Sequence, residues 1–294
     1  MTKLLLITLS LLTMACARQP SHPEPVNPDA SPEARELLDF LYSLNGKYTL
    51  SGVHNYANHL SVYSDSFNAI TGHRPAIWGS DLSSIGSSYF DRQKVVDEAV
   101  RQYRMGSIIT LMSHQARPYE HEPVDFRESV QGPFSDEEWT ELVTPGTEMH
   151  TRWLGKIDSL AFFLKELQEE HIPVLWRPYH EMNGIWFWWG DRKGPEGFRK
   201  LWAMMYHRFV NYHKLDNILW VWNTNAPRDW KDDEAYAYDL YYPGDSLVDI
   251  LAADVYKNDF KLSHHDDLLK LANGKLIALG EVGIAPTPEI LDQQ

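Results

Sequence analysis

Cysteine is almost absent from this chain of 294 residues, and Cys16 is its only example. A single cysteine excludes an intrachain disulfide, so the fold must be held together by its core. Basic residues are also scarce, because 27 Lys and Arg stand against 41 Asp and Glu, giving a net charge of −14. Such an acidic surface would repel a phosphate backbone, so we expect no nucleic-acid partner.

Several motifs of enzyme chemistry are missing as well. The first strand-like run ends in SGVHNYAN instead of a glycine-rich phosphate loop, which argues against a doubly wound nucleotide-binding sheet. No G-x-S-x-G occurs, and HEMNG at 180–184 has Gly184 where the zinc motif H-E-x-x-H needs histidine. The run HHDD at 264–267 is more typical of the acidic first turn of a helix than of a metal site. We therefore expect no metal and no other cofactor.

Apolar runs long enough to suggest targeting are confined to the N-terminus. Residues 1–15 predict a signal peptide, because Lys3 precedes LLLITLSLLTMA, which is too short for a permanent membrane anchor. Cys16 follows Ala15 directly and resembles the acylated cysteine of bacterial lipoproteins; the alternative is an ordinary secretory signal with an incidental cysteine. Residues 16–32 contain five prolines and predict an extended tether. We expect export, with a lipid anchor in the outer membrane or at the cell surface as the only membrane contact.

From residue 33 onwards, short apolar runs alternate with amphipathic helices. The runs are typical of parallel strands buried on both faces. They lie at 48–54, 75–82, 107–114, 173–181, 217–223, 248–256 and 275–283. Seven such units, with no linker between them, predict an α/β fold of the (β/α)8 TIM barrel type over residues 33–294. The long segment 115–149 after the third run is expected at the active face, where binding loops grow.

Polar residues follow the strand-like runs, and in a barrel these ends converge on one cavity. Glu181 in WRPYHEMNG and Glu281 in LGEVG continue buried runs, where a carboxylate is costly unless it is paired or functional. Two carboxylates that face one cavity suit glycoside hydrolysis. The other polar strand ends are His54, Asp81, His114, His180, Asn223, Asp254 and Tyr256.

Tryptophan is concentrated in one part of the chain. Eight of the 11 tryptophans lie between Trp176 and Trp230, and indole rings suit sugar binding because the apolar face of a pyranose packs on them. The run 186–189 places four bulky aromatic residues in sequence. These cannot all face one core, so at least one of them is expected to line the cleft.

The segment RPYHEMNGIWFWWG resembles the signature of glycoside hydrolase family 26, the β-mannanase family. PAIWGSDL, LWVWN, YYPGDSLVDILAADVY and GEVG lie in the family order, and the resemblance covers roughly residues 48–284. It implies a retaining hydrolase on a (β/α)8 barrel, with the acid/base at the end of strand 4 and the nucleophile at the end of strand 7. These roles fall on Glu181 and Glu281.

The resemblance also implies substrate-binding residues. His180 matches a histidine that contacts the sugar in the −1 subsite, and His114 matches another histidine near that subsite. Trp186 matches a tryptophan near the leaving group. Tyr256 matches a tyrosine that donates a hydrogen bond to the nucleophile.

The sequence departs from the family pattern after the nucleophile. Family members have an eighth strand with a tryptophan that floors the −1 subsite, whereas residues 284–294 contain no tryptophan. We therefore expect a C-terminally incomplete barrel of seven strands, with the edges of strands 1 and 7 facing a gap. Whether such a chain is active is open at this point.

Together these features predict an exported, monomeric β-mannanase that cleaves β-1,4-mannosidic bonds in mannan, galactomannan or glucomannan. One alternative is a family relative that acts on another β-glycan, such as mixed-linkage glucan or β-1,3-xylan. A second is a non-catalytic glycan-binding lipoprotein. The sequence leaves endo and exo cleavage open, because loops such as 115–149 decide whether the cleft is closed.

Overall fold

The computed structural model describes residues 22–256 and 262–291. Seven parallel strands form one sheet, in which each strand pairs with its neighbours in sequence. The strands are β1 (Gly52–His54), β2 (Ile77–Asp81), β3 (Ile108–Ser113), β4 (Val174–Pro178), β5 (Ile218–Asn225), β6 (Ile250–Val255) and β7 (Leu276–Val282). This sheet confirms the predicted incomplete (β/α) barrel.

Helices connect the strands, as the alternating pattern predicts. Those in the described residues are α1 (Pro32–Leu44), α2 (Val62–Thr71), α3 (Gly86–Tyr89), α4 (Arg92–Arg104), α5 (Asp136–Leu142), α6 (Glu148–Glu169), α7 (Phe198–His207), α8 (Leu262–Ala272) and α9 (Pro288–Leu291). Short π-helical segments at Phe126–Val130 and Arg208–Tyr212 and 3₁₀ turns at Tyr238–Leu240 and Asp245–Leu247 complete the helical elements. An antiparallel hairpin, Arg228–Trp230 with Asp233–Ala235, follows β5.

Helix α1 covers the end of the sheet at which the strands begin. Its start follows from sequence, because the Ser31 hydroxyl accepts a hydrogen bond from the Ala34 N–H and Pro32 occupies the first turn. Leu38 packs in a small apolar cluster with Leu219 and Ile250, near the first residues of β5 and β6. The opposite, carboxyl-terminal ends of the strands are thereby left as the open face.

Most of the clustered tryptophans build the core. Six of the eight between residues 176 and 230 are fully buried, namely Trp176, Trp188, Trp189, Trp202, Trp220 and Trp222. A buried indole contributes one of the largest apolar surfaces available to a core. The clustering therefore reflects packing more than sugar binding, and Trp186 is the member of the run 186–189 that stays partly exposed.

The two outer strands of the sheet differ from the inner ones. Among the described residues, β1 pairs only with β2, and β7 pairs only with β6. Every residue of β4, β5 and β6 is buried, whereas each residue of β7 is partly or fully exposed. The expectation that strands 1 and 7 form unpaired edges is confirmed.

The expected tether is wrong for residues 22–32. The Val26 N–H donates to Asp249 Oδ1 at 2.7 Å, and Tyr206 Oη donates to the Val26 carbonyl oxygen at 2.7 Å. Asn27 is buried, and its Nδ2 donates to the Leu215 carbonyl oxygen at 3.0 Å. This segment bends and turns at residues 26–29, and it lies against the barrel. The predicted signal peptide and Cys16 lie outside the described residues.

Each helix within residues 22–256 and 262–291 is too short or too polar to cross a membrane.

The packed N-terminal segment leads to a stability prediction. Replacing Asn27 with Ala should lower the free energy of unfolding by about 1–3 kcal/mol, because the buried Leu215 carbonyl loses its donor. Asp29→Ala, at an exposed position two residues away, is the matched control and should change little. Urea denaturation of both variants measures the difference, and equal stabilities would show that the segment is a tether after all.

Candidate active site

Glu181 lies just beyond the end of β4 in an unusual backbone conformation. Tyr179 and Glu181 both have positive φ, 49° and 54°, which non-glycine residues rarely adopt. Contacts on both sides hold this turn: Trp153 Nε1 donates to Tyr179 Oη at 2.7 Å, and the Glu181 N–H donates to the Asn223 carbonyl oxygen at 2.8 Å. Such strain persists only where surrounding structure fixes it, and it often marks functional sites.

The Glu181 carboxyl group accepts one hydrogen bond at each oxygen. Asn225 Nδ2 donates to Oε1 at 2.6 Å, and Trp186 Nε1 donates to Oε2 at 2.8 Å. Burial raises the pKa of Glu181 above its ordinary value, and the nearby charge of Glu281 raises it further. Glu181 is therefore the carboxyl group of the pair that keeps its proton to higher pH.

Glu281 reaches the same cavity from β7. The β6–β7 ladder shifts register between Ala253 and Asp254, so that Gly280 is passed over and Glu281 pairs with Asp254. Gly280 cannot carry a side chain, because a Cβ there would lie 1.8 Å from Asn223 Oδ1. The irregular ladder and the close approach at Gly280 set the direction of the Glu281 side chain.

The charge of Glu281 is stabilised by two neighbours. Arg177 Nη2 donates to Oε1 at 2.7 Å, and the Tyr256 hydroxyl donates to Oε2. Burial alone would raise the pKa of Glu281, but the Arg177 charge and the Tyr256 hydrogen bond bring it well below the ordinary value. Glu281 is thus ionised under conditions in which Glu181 is protonated.

A third carboxyl group belongs to this cluster. One carboxylate oxygen each from Glu181, Asp254 and Glu281 lies within 4.8 Å of the others. Three such groups could ligate a metal ion, but the buried Arg177 guanidinium already supplies the positive charge, 3.5 Å from Asp254 Oδ1. Burial and the Glu281 charge raise the pKa of Asp254 well above its ordinary value. Its protonated form relieves the crowding of like charges.

Two histidines line the cavity beside the carboxyl groups. His114 Nδ1 lies 2.6 Å from Asp81 Oδ2, and although burial opposes it, this carboxylate raises the pKa of His114. The ring of His180 stands perpendicular to that of His114, with the centroids 4.8 Å apart. Burial lowers the pKa of His180 well below its ordinary value, so His180 is neutral. The two histidines therefore differ in proton affinity, and His114 is the more readily protonated of the two.

Trp186 forms the wall next to Glu181. Its ring lies over Gly184, where a Cβ would come within 2.2 Å of Trp186 Cη2, so a residue with a side chain would displace the indole. The segment 115–149 contributes the neighbouring wall, because Phe126 contacts the ring of His114 at 5.5 Å between centroids. This agrees with the expectation that the long segment lies at the active face.

All of the predicted site residues that the structure describes lie in this one cavity. Trp186 and Tyr256 donate hydrogen bonds to Glu181 and Glu281, which lie close together. The ring of Phe187 contacts the rings of His114, His180 and Trp186 and so connects the histidines to this group. Cys16 lies outside the described residues. Sequence reasoning missed Arg177 and Asn225, although Arg177 carried the same signal as Glu181, a charge within a buried strand.

An open (β/α) barrel with two carboxyl groups close together at its carboxyl-terminal face is the architecture of the barrel glycoside hydrolases. The sequence matches the model for glycosyl hydrolase family 26 over residues 26–294. The chain belongs to this family, which confirms the resemblance found in the sequence.

Solved structures agree with this assignment. The structure of GH26A from Muricauda sp. MAR_2010_75 is 48% identical, with a TM-score of 0.89, and the match covers 91% of this chain and 87% of that one. A Bacillus subtilis mannanase, man26, is 27% identical with a TM-score of 0.76, covering 89% of this chain and 80% of that one.

A curated relative gives a second view. The mannan endo-1,4-beta-mannosidase of Thermothelomyces thermophilus is 36% identical over 275 residues, which are 90% of this chain and 53% of the relative. This chain therefore spans about half the length of that relative.

The Arg177–Glu281 ion pair leads to a prediction on pH dependence. Arg177→Met removes the charge that favours ionised Glu281, so the pKa of Glu281 rises, by about 1–3 units for such a pair. The acid limb of the kcat/KM profile on mannan oligosaccharides should move to higher pH by this amount. Arg177→Lys, which keeps a positive charge, should move it less, and Arg104→Met, at an exposed position, should not move it. An acid limb that stays in place in Arg177→Met would contradict this account.

Proposed function

We propose that this chain hydrolyses β-1,4-mannosidic bonds in mannan, galactomannan or glucomannan with retention of configuration. The observation that carries the proposal is the pair Glu181 and Glu281, whose carboxylate oxygens come within 4.8 Å and whose pKa values move in opposite directions. Retaining pairs lie about 5–5.5 Å apart, whereas inverting pairs lie about 6.5–9.5 Å apart to admit a water molecule.

In the first step, ionised Glu281 attacks the anomeric carbon while protonated Glu181 gives its proton to the departing glycosidic oxygen. The bond to the leaving sugar breaks, and Glu281 becomes the ester of a covalent glycosyl intermediate. Arg177 and Tyr256 hold the Glu281 carboxylate in the form that attacks.

In the second step, the ester no longer carries the charge of Glu281, so the pKa of Glu181 falls. Glu181 then accepts a proton from a water molecule, which attacks the anomeric carbon and releases Glu281. The two hydrogen bonds from Asn225 and Trp186 favour the ionised Glu181 that this step requires.

The choice of mannan over other β-glycans is supported by the relatives, several of which are named mannan endo-1,4-beta-mannosidases. The choice of an enzyme over a glycan-binding protein is supported by the site itself. A binding site would have no need for a buried carboxylate kept ionised beside a second carboxyl group kept protonated, because such an arrangement is costly.

The test compares both glutamate variants on two kinds of substrate. Glu281→Ala should reduce hydrolysis of every substrate by about 10⁴-fold or more, because no nucleophile remains. Glu181→Ala should spare the first step for aryl mannosides whose leaving groups need no proton. Glu141→Gln, at an exposed position on α5, is the control and should leave the activity unchanged.

Product analysis completes this test. NMR spectra of the earliest products from mannohexaose should show the β-anomer. Dominant α-anomer would overturn the retaining mechanism. Binding of mannan without hydrolysis would favour the glycan-binding alternative, and faster hydrolysis of mixed-linkage glucan or β-1,3-xylan would favour another substrate.

We further propose that the protein is exported as a monomer with lipid on Cys16. The support is the sequence pattern of residues 1–16. In a bacterial host that acylates lipoproteins, labelled fatty acid should enter the wild type but not Cys16→Ser, and both should be exported. Equal labelling of the two, or none in the wild type, would reject the lipid anchor.

A further inference from the structure

The hairpin 228–235 lies directly against the turn that carries Glu181. The Ile185 N–H donates to the Glu234 carbonyl oxygen at 3.3 Å, and Gly184 forms an isolated bridge with Ala235. The Tyr236 N–H donates to the Asn183 carbonyl oxygen at 2.9 Å. Backbone hydrogen bonds thus join the hairpin to the turn after β4, at the side of the cavity.

Arg228 is the side chain that reaches from this hairpin toward the site. Its Nε donates to the Asp233 carbonyl oxygen at 2.9 Å, and its Nη2 lies 2.6 Å from Asp233 Oδ1. The Arg228 side chain is only 12% exposed, and the guanidinium lies over the ring of Trp230 at 5.0 Å. These contacts within the hairpin fix the position of the Arg228 guanidinium.

The guanidinium also contacts both hydrogen-bond donors of Glu181. Its Nη1 donates to Asn225 Oδ1, and its central carbon lies 4.7 Å from the centre of the Trp186 ring. Asn225 Nδ2 and Trp186 Nε1 in turn donate to the two oxygens of Glu181. Arg228 therefore contacts both Asn225 and Trp186, the two hydrogen-bond donors of the candidate acid/base Glu181.

We propose that Arg228 is a positioning residue for Glu181, acting through the Asn225 amide and the Trp186 indole. This inference rests on the proposed function, in which Glu181 is the acid/base. An asparagine amide has an accepting end and a donating end. Because Oδ1 accepts from Arg228, the NH₂ group must face Glu181. Stacking on Trp186 keeps the indole N–H directed at the other oxygen.

Loss of Arg228 should therefore misdirect proton transfer and leave the nucleophile intact. A rotated Asn225 amide would present an oxygen to the Glu181 carboxylate, which disfavours its ionised form. Glu281 keeps its own partners, Arg177 and Tyr256, which Arg228 does not contact in the described structure. The loss of activity should therefore be large for substrates whose leaving group needs a proton and small for those whose leaving group does not.

The experiment measures kcat/KM of Arg228→Met on mannohexaose and on a 2,4-dinitrophenyl β-mannobioside. Proton donation by a positioned group contributes about 10²–10⁴-fold, so mannohexaose should lose about 10- to 100-fold. The dinitrophenyl substrate, whose leaving group needs no proton, should stay within about threefold of the wild type. The alkaline limb of the mannohexaose profile should also move to higher pH.

Two further variants separate positioning from charge and from folding. Arg228→Lys keeps the charge but not the planar fork, so it should show most of the same defect. Asp233→Asn weakens the anchor of Arg228 and leaves every donor to Glu181 in place, so it should show a smaller defect of the same kind. Arg152→Met, whose guanidinium pairs with exposed Glu148 on α6, is the control and should match the wild type on both substrates.

Each outcome decides the question. A larger loss on mannohexaose than on the dinitrophenyl substrate supports the proposal. Equal losses on both substrates, no loss, or full rescue by Arg228→Lys would overturn it. A wild-type chain that cleaves neither substrate would refute the proposed function, a result distinct from any of these.

Discussion

The site depends on one buried guanidinium. Arg177 lies on β4, yet its polar atoms contact Met112 Sδ at 3.0 Å, Asn223 Oδ1 at 3.2 Å, Asp254 Oδ1 at 3.5 Å and Glu281 Oε1 at 2.7 Å. These partners come from β3, β5, β6 and β7, so a single side chain links the ends of five strands. A buried charge is tolerated only when it is paired and hydrogen-bonded, and here the pairing also keeps Glu281 ionised.

The different protonation of the two glutamates follows from this arrangement. Glu281 receives the guanidinium and a phenol hydroxyl, while Glu181 receives only an amide and an indole N–H. Neutral donors offset the cost of burying an ionised carboxylate less well than a positive charge does. The pKa of Glu181 is therefore raised and that of Glu281 lowered, although the two groups share a cavity. The fold produces an acid and a base from the same residue type by giving each a different set of neighbours.

Much of the fold and the site was predictable from local sequence. The apolar runs gave all seven strands, and carboxylates within buried runs identified Glu181 and Glu281. What could not be predicted depends on contacts between distant segments. Arg177 becomes the partner of Glu281 only because the sheet curls, bringing together residues 104 positions apart. The prolines of the segment 22–31 predicted a free tether, but the segment docks on the barrel through contacts such as that with Asp249, more than 200 residues away.

The central claim is that Glu281 is the nucleophile of a covalent mechanism. The most direct measurement is mass spectrometry of the protein after incubation with a 2-deoxy-2-fluoro-mannosyl substrate that carries an activated leaving group. The fluorine slows both steps, whereas the activated leaving group speeds only the first, so the intermediate accumulates. This account predicts one added fluorosugar per chain, located after proteolysis on the peptide that contains Glu281. A label on any other residue, or continued turnover with no labelled intermediate, would contradict it.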